Sequence, residues 1–200
     1  KAIAQSAYMI SSPALREQQH GETPAEEIGE RLAHRLGGKS LADLRAMDAA
    51  TLSQAAADAG YMPSGTVDGQ VLARQLVDTF DRGEQAPVPL LAGLTSGEIR
   101  SLRFLAPEPP TDSAAYEAAI AHRYGDLTDR FLSLYPAEGG EESVLAATRD
   151  ALYGWTAERL VIKQEARGVP AYLYLFDHGY PAASAFGLHA FHAAEVPYVF

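Results

Sequence analysis

The sequence predicts an α/β chain, helix-rich, with about three short strands of the parallel type. Three observations predict it. Val88 to Gly93 and Ala171 to Phe176 are apolar runs of strand length, the pattern of strands covered on both faces. Ala2 to Tyr8 reads as a third short buried strand. Long segments with helix caps and glycine stops lie between them. Sheets usually hold ~5–6 strands, so the expectation is part of a doubly wound sheet whose other strands lie elsewhere.

Each element follows from local chemistry. Ser11-Ser12-Pro13 breaks the first strand. Thr23 is an N-cap candidate with Pro24 at the first helical position, and Glu26 and Glu27 favour a helix start. That helix runs to Leu36, before Gly37-Gly38. Ser40 and Asp48 cap two further helices, over Ser40–Ala46 and Asp48–Ala59, and Gly60 ends the second. Gly65 to Gly69 is a turn, and Val71 to Arg82 is a full or partial helix.

The strand at Val88 leads into the loop Thr95-Ser96-Gly97-Glu98, and a helix starts over Ile99–Leu105. In open α/β sheets such loops hold the chemistry. Glu108-Pro109-Pro110 is a linker. Asp112 caps a helix to His122, and Asp126 to Leu134 forms another. Gly139-Gly140 breaks the chain before one long helix, Glu142 to Ala166, with Leu152, Trp155, Leu160 and Val161 facing inward. Its acidic start, Glu141-Glu142, reads as solvated. Gly168-Val169-Pro170 ends it. The strand Ala171–Phe176 places Tyr172 and Tyr174 in the core, and Gly179 to Gly187 is a loop.

Composition narrows function. Two hundred residues, 47% apolar and 21% charged, can bury a sizeable core. A net charge of −10 argues against nucleic acid as a partner. No apolar run reaches the ~18 residues of a membrane span, so no membrane partner is expected. There is no cysteine, which excludes disulfides and thiolate chemistry and fits a reducing compartment. The start, Lys1-Ala2-Ile3-Ala4, is no signal peptide and reads as an internal cut in a longer chain.

The end of the chain carries the chemistry. Gly187 to Phe200 reads Gly-Leu-His-Ala-Phe-His-Ala-Ala-Glu-Val-Pro-Tyr-Val-Phe. A histidine, His192, precedes Glu195 by three residues. Taken alone, His192 is either a proton shuttle or a ring packed against the aromatic terminus. His189 is its rival. His189, His192 and Glu195 do not form the His-Glu-x-x-His zinc signature, so no metal or other cofactor is expected. Glu98 is either a functional acid after a strand or a helix-start carboxylate favoured by the dipole.

Five segments, in order, resemble type-B carboxylesterases, the family of cholinesterases and para-nitrobenzyl esterases. Ala2-Ile3-Ala4-Gln5-Ser6-Ala7 resembles the family's Ala-Ile-x-Gln-Ser-Gly strand. Thr66 to Gly69 resembles its Val-Asp-Gly turn, and Val88 to Glu98 its strand and acidic loop. Ala171 to His178 and the terminal segment resemble its Tyr-x-Tyr-x-Phe-x-His and histidine segments. Ala7, Thr95 and Ile99 depart from the usual Gly, Asn and Gly.

The resemblance implies the C-terminal part of one α/β-hydrolase catalytic domain spanning residues 1–200. It implies a serine esterase acting on small-molecule esters through an acyl-enzyme. His192 is then the base, Glu98 the acid that orients it, and Ser6 a supporting hydroxyl behind the acid. Leu188 and Phe191 could line an acyl pocket. No serine here has glycine two residues away on both sides, as a nucleophile elbow requires. The expected partner is therefore a missing N-terminal portion, with self-association through cut sheet edges also expected. The alternative is an inert cholinesterase-like interaction module.

Overall fold

A computed structural model describes residues 1–199. Phe200, the last residue of the histidine motif, lies outside the described residues. The chain forms two compact units, residues 10–82 and residues 1–9 with 83 onward.

In residues 10–82, helix α1 spans Ala25–Arg35. It starts later than the sequence predicts. Pro24 is the cap itself, at ψ 141°, with no side-chain bond. The free N–H groups of Ala25 and Glu26 instead donate to Ala14 O and Leu15 O. Helix α2 (Leu41–Ala46) opens with a full capping box between Ser40 and Asp43. Helix α3 (Ala49–Asp58) opens with Asp48 accepting from Thr51 N–H at 3.0 Å. Helix α4 covers only Leu76–Asp81. Asp68 explains the lost turn: its carboxylate accepts from the N–H groups of Gln70 and Leu72, holding 68–72 in a turn.

The other unit holds the sheet. Strands β1 (Ala2–Gln5), β2 (Leu90–Thr95) and β3 (Ala171–Phe176) are parallel, in the order β1-β2-β3. Gln5 pairs with Gly93, and Gly93 with Tyr174. The predicted helix-rich fold with three short parallel strands is therefore the observed one. β1 stops before the predicted Tyr8 because Ser6 turns into the left-handed region, φ 49°. β2 starts two residues late because Pro89 has no N–H for a central ladder. It runs on through Thr95, and five of its six residues are buried.

Helix α5 is a single turn, Glu98–Ser101, followed by a 3₁₀ turn at Arg103–Leu105. Helices α6 (Ser113–Tyr124) and α7 (Thr128–Leu134) follow. Tyr116, Ile120, Ala137 and Val144 form one apolar cluster. The predicted long helix exists as α8 (Glu141–Arg149), a π turn (Asp150–Gly154) and α9 (Trp155–Glu165). Leu94, Ile99, Leu145, Tyr153 and Ala157 form a second cluster between this helix and β2. Gln164 ties α9 to the entry of β2 by donating to Ala86 O and Val88 O.

The π turn corrects the predicted interior. One extra residue rotates everything after it by about 100°. Tyr153 takes the core position, and Trp155 turns out to 44% exposure under the Arg159 guanidinium. Tyr172 is also not in the core, at 63% exposure. It shares a sheet face with Ile3 and Leu91, which the described residues leave uncovered. Glu141 and Glu142 are not merely solvated: they pair with Arg103 and Arg100. The predicted 179–187 loop contains a short helix, α10 (Pro181–Ala185), and α11 covers Val196–Val199.

Candidate active site

β2 ends inside the molecule, so its following turn begins buried. Thr95 and Glu98 are both fully inaccessible, and Glu98 opens α5 with its carboxylate turned inward. Its Oε1 accepts from the Thr95 N–H at 2.7 Å and from the Ser6 hydroxyl at 2.5 Å. Its Oε2 lies 2.5 Å from His192 Nδ1. Burying a carboxylate is costly unless donors replace its water. Three donors do so here.

Each partner is positioned by a different element. Ser6 reaches Glu98 because the chain turns at the end of β1, and its N–H stays anchored to Gly93 O at 2.8 Å. His192 arrives on the loop after α10. That loop is pinned to the acid turn by the Gly97 N–H, which donates to Ala190 O at 2.8 Å, and by a parallel bridge between Gly97 and Phe191. A Cβ on Gly97 would stand 2.7 Å from Ala190 O. Only glycine permits this approach.

The arrangement fixes a tautomer. With Glu98 accepting, the His192 proton sits on Nδ1 and Nε2 keeps its lone pair. The imidazole packs against Tyr153, ring centres 5.7 Å apart. Burial, then the Glu98 charge and Tyr8, push the Tyr153 hydroxyl up to about 12. Tyr153 therefore stays neutral beside the pair. The geometry provides a half-buried imidazole, oriented by a desolvated carboxylate and able to accept a proton at Nε2.

The structure brings together Glu98, His192 and Ser6. It leaves His189 exposed, at φ 50°. Glu195, the motif's acid, does not reach His192. It is buried, accepts from Gln5 Nε2 at 3.2 Å, and raises the neighbouring Tyr174 hydroxyl, whose burial is the main cause of a value near 12. Phe191 meets the Tyr180 ring edge-on at 6.0 Å, and the Leu188 N–H closes α10 on Ala183 O. His178 lies at the end of β3 against Phe176 and Tyr198. Sequence reasoning missed Tyr153 and Gln5 as neighbours of these acids. Gln5 sits one residue before Ser6 in the first strand segment, but Tyr153 carries no signal apart from the helical phase. Among the described residues no group of three His, Asp or Glu side chains is placed to hold a metal. Among the described residues no helix is long and apolar enough to cross a membrane.

Comparison with known proteins agrees with this architecture. No family model matches the chain. A fumonisin B1 esterase from Sphingopyxis macrogoltabida is 28% identical over 214 residues, covering 99% of this chain and 38% of its own length. The Geobacillus stearothermophilus carboxylesterase EST55 superposes with a TM-score of 0.70 at 22% identity, over all of this chain and 41% of its own. A PNB esterase gives 0.69 at 23%, over all of this chain and 41% of its own. Aspergillus niger EstA gives 0.66 at 19%, over 99% of this chain and 41% of its own.

The chain carries part of an α/β-hydrolase fold. It spans about two fifths of the length of the relatives it matches.

Proposed function

We propose that this chain supplies the acid and the base of a serine carboxylic-ester hydrolase of the type-B carboxylesterase kind. The observation that carries this is the Glu98–His192 hydrogen bond with Ser6 on the other carboxylate oxygen. In this reading residues 1–200 are the C-terminal part of one catalytic domain. The nucleophilic serine and the oxyanion donors lie in an N-terminal portion outside these residues, which is the partner of the sheet edge. Two copies of the chain alone would associate through the same edge. The substrates are small-molecule esters, with Leu188 and Phe191 beside the acyl group. The name of the fumonisin B1 esterase supports ester chemistry, and its near-complete coverage of this chain supports the assignment.

The chemistry follows from the tautomer. His192 Nε2 takes the serine proton as the serine oxygen attacks the ester carbonyl. Glu98 stays ionised, holds Nδ1–H, and stabilises the imidazolium. The imidazolium then protonates the leaving alcohol, leaving an acyl-enzyme. Water, deprotonated by the same Nε2, releases the acid and restores the serine.

Hydrolysis of p-nitrophenyl acetate tests the reading. The 200-residue chain alone should show no turnover. A longer natural polypeptide containing it should turn over and take a fluorophosphonate label. In that polypeptide His192→Ala should lower kcat by ~10⁶, and Glu98→Gln, by loss of the correct tautomer, by ~10⁴. No labelling of the longer polypeptide would overturn the assignment and favour an inert module.

A further inference from the structure

Arg149 stands at the junction of α8 and the π turn, with about a quarter of its side chain exposed. Its guanidinium makes two bonds to Asp150, Nε to Oδ1 at 2.7 Å and Nη2 to Oδ2 at 3.0 Å. The same Oδ2 of Asp150 also accepts from the Tyr135 hydroxyl at 2.9 Å. So the fork is fixed before it reaches the site. Its remaining arm, Nη1, donates to Ser96 O at 3.1 Å.

That carbonyl belongs to the same peptide unit as the Gly97 N–H. A trans peptide is planar, with its C=O and N–H pointing in opposite directions. One face of this rigid plate is held by Arg149, and the other donates to Ala190 O, two residues before His192. A carbonyl that accepts from a cation also makes its own N–H a stronger donor. Ser96 adds ties to the end of β3: its N–H donates to Phe176 O and its hydroxyl to Asp177 Oδ1 at 2.5 Å. The turn that presents Glu98 is thus anchored on three sides, and one anchor passes straight through to the histidine loop.

We propose that Arg149 is a positioning residue that sets the Glu98–His192 separation through the Ser96–Gly97 peptide. It touches neither member of the pair. The inference rests on the acid–base reading above. A mere helix-to-loop ion pair would stabilise the fold and leave the pair's geometry alone. A clamp changes the pair whenever it is weakened.

Proton NMR on the 200-residue chain separates these. A short carboxylate–imidazole bond gives a far-downfield Nδ1 proton, lost in Glu98→Gln. Absence of that proton in the unsubstituted chain overturns the acid–base pair itself. Arg149 keeps its own readout, the hydrogen exchange of the Gly97 amide. The expected result is an upfield-shifted or lost Nδ1 proton and faster Gly97 exchange in Arg149→Met. Arg149→Lys, which keeps the charge and one donor, should fall between. A Gly97 exchange rate unchanged in every variant that folds overturns the clamp, even if those variants melt earlier. An unchanged Nδ1 proton with faster Gly97 exchange also overturns it, leaving Arg149 a purely structural tie.

Discussion

The four helices within residues 25–81 bury no side chain, whereas β2 alone buries five of its six residues. In the first region the helix starts and one turn are set by contacts within a few residues of chain: the Ser40–Asp43 box, the Asp48 cap, the Asp68 turn. The second is organised by contacts ninety residues apart, such as Ser6 to Glu98 and Glu98 to His192. Local hydrogen bonds define helix ends but add little stability each. Burial stabilises more, and it also lets a carboxylate be held away from water. Ser6, Glu98 and His192 accordingly gather where the sheet makes a dry floor.

Substitutions can sharpen this contrast. The largest effect is expected at Ile99, 1% exposed and packed in the cluster with Leu94 and Tyr153. Ile99→Ala should cost about 3 kcal/mol in urea unfolding. Met62→Ala, at a residue 77% exposed, should move the same transition by less than about 0.5 kcal/mol. Equal losses would break the comparison.

Gly97→Ala comes next. Its new methyl would press on Ala190 O and Leu188 O. Overpacking of this kind costs about 1–3 kcal/mol, and the His192 Nδ1 proton should shift upfield as the loop moves away. A stability loss with that proton unmoved would show that the two loops are not rigidly coupled.

Smaller effects than that at Gly97 belong to the caps. Ser40→Ala should lower the stability of the 10–82 unit by about 1 kcal/mol. Asp43, Asp48 and Asp68 titrate below the ordinary 3.8. Bonds from Ser40 hold Asp43 down, and backbone N–H groups of Thr51 and Gln70 hold Asp48 and Asp68. A depressed folded value means stabilisation present above 3.8 and lost as pH falls through the folded value. Carboxyl NMR should find all three below 3.8, and amide exchange in α2 and α3 should quicken as they protonate.

Much of the fold was legible because strand and cap signals are local. Ala171–Phe176 matches its prediction residue for residue, and both Ser40 and Asp48 cap as expected. Glu98, His192 and Ser6 were legible as a group only through the ordered resemblance, since neither residue type nor spacing separates a functional acid from a helix-start acid. In the structure the Glu98 side chain turns inward, to Ser6 and His192. Trp155 and Tyr172 were misplaced for a different reason. Hydrophobicity does not reveal a π turn or an uncovered sheet face.

The sequence by itself determined which residues cap α2 and α3, which apolar runs form strands, and which residue types could move a proton. Those properties depend on backbone propensities and neighbours a few positions away. The tertiary structure decided which histidine meets the acid and that Glu195 turns to Gln5 instead. It also decided that Arg149 reaches the Ser96–Gly97 peptide. These depend on the register of β1 against β2, the placement of the end of α8 beside the turn after β2, and the close approach of the histidine loop to Gly97. All three are set by packing between segments distant in the chain.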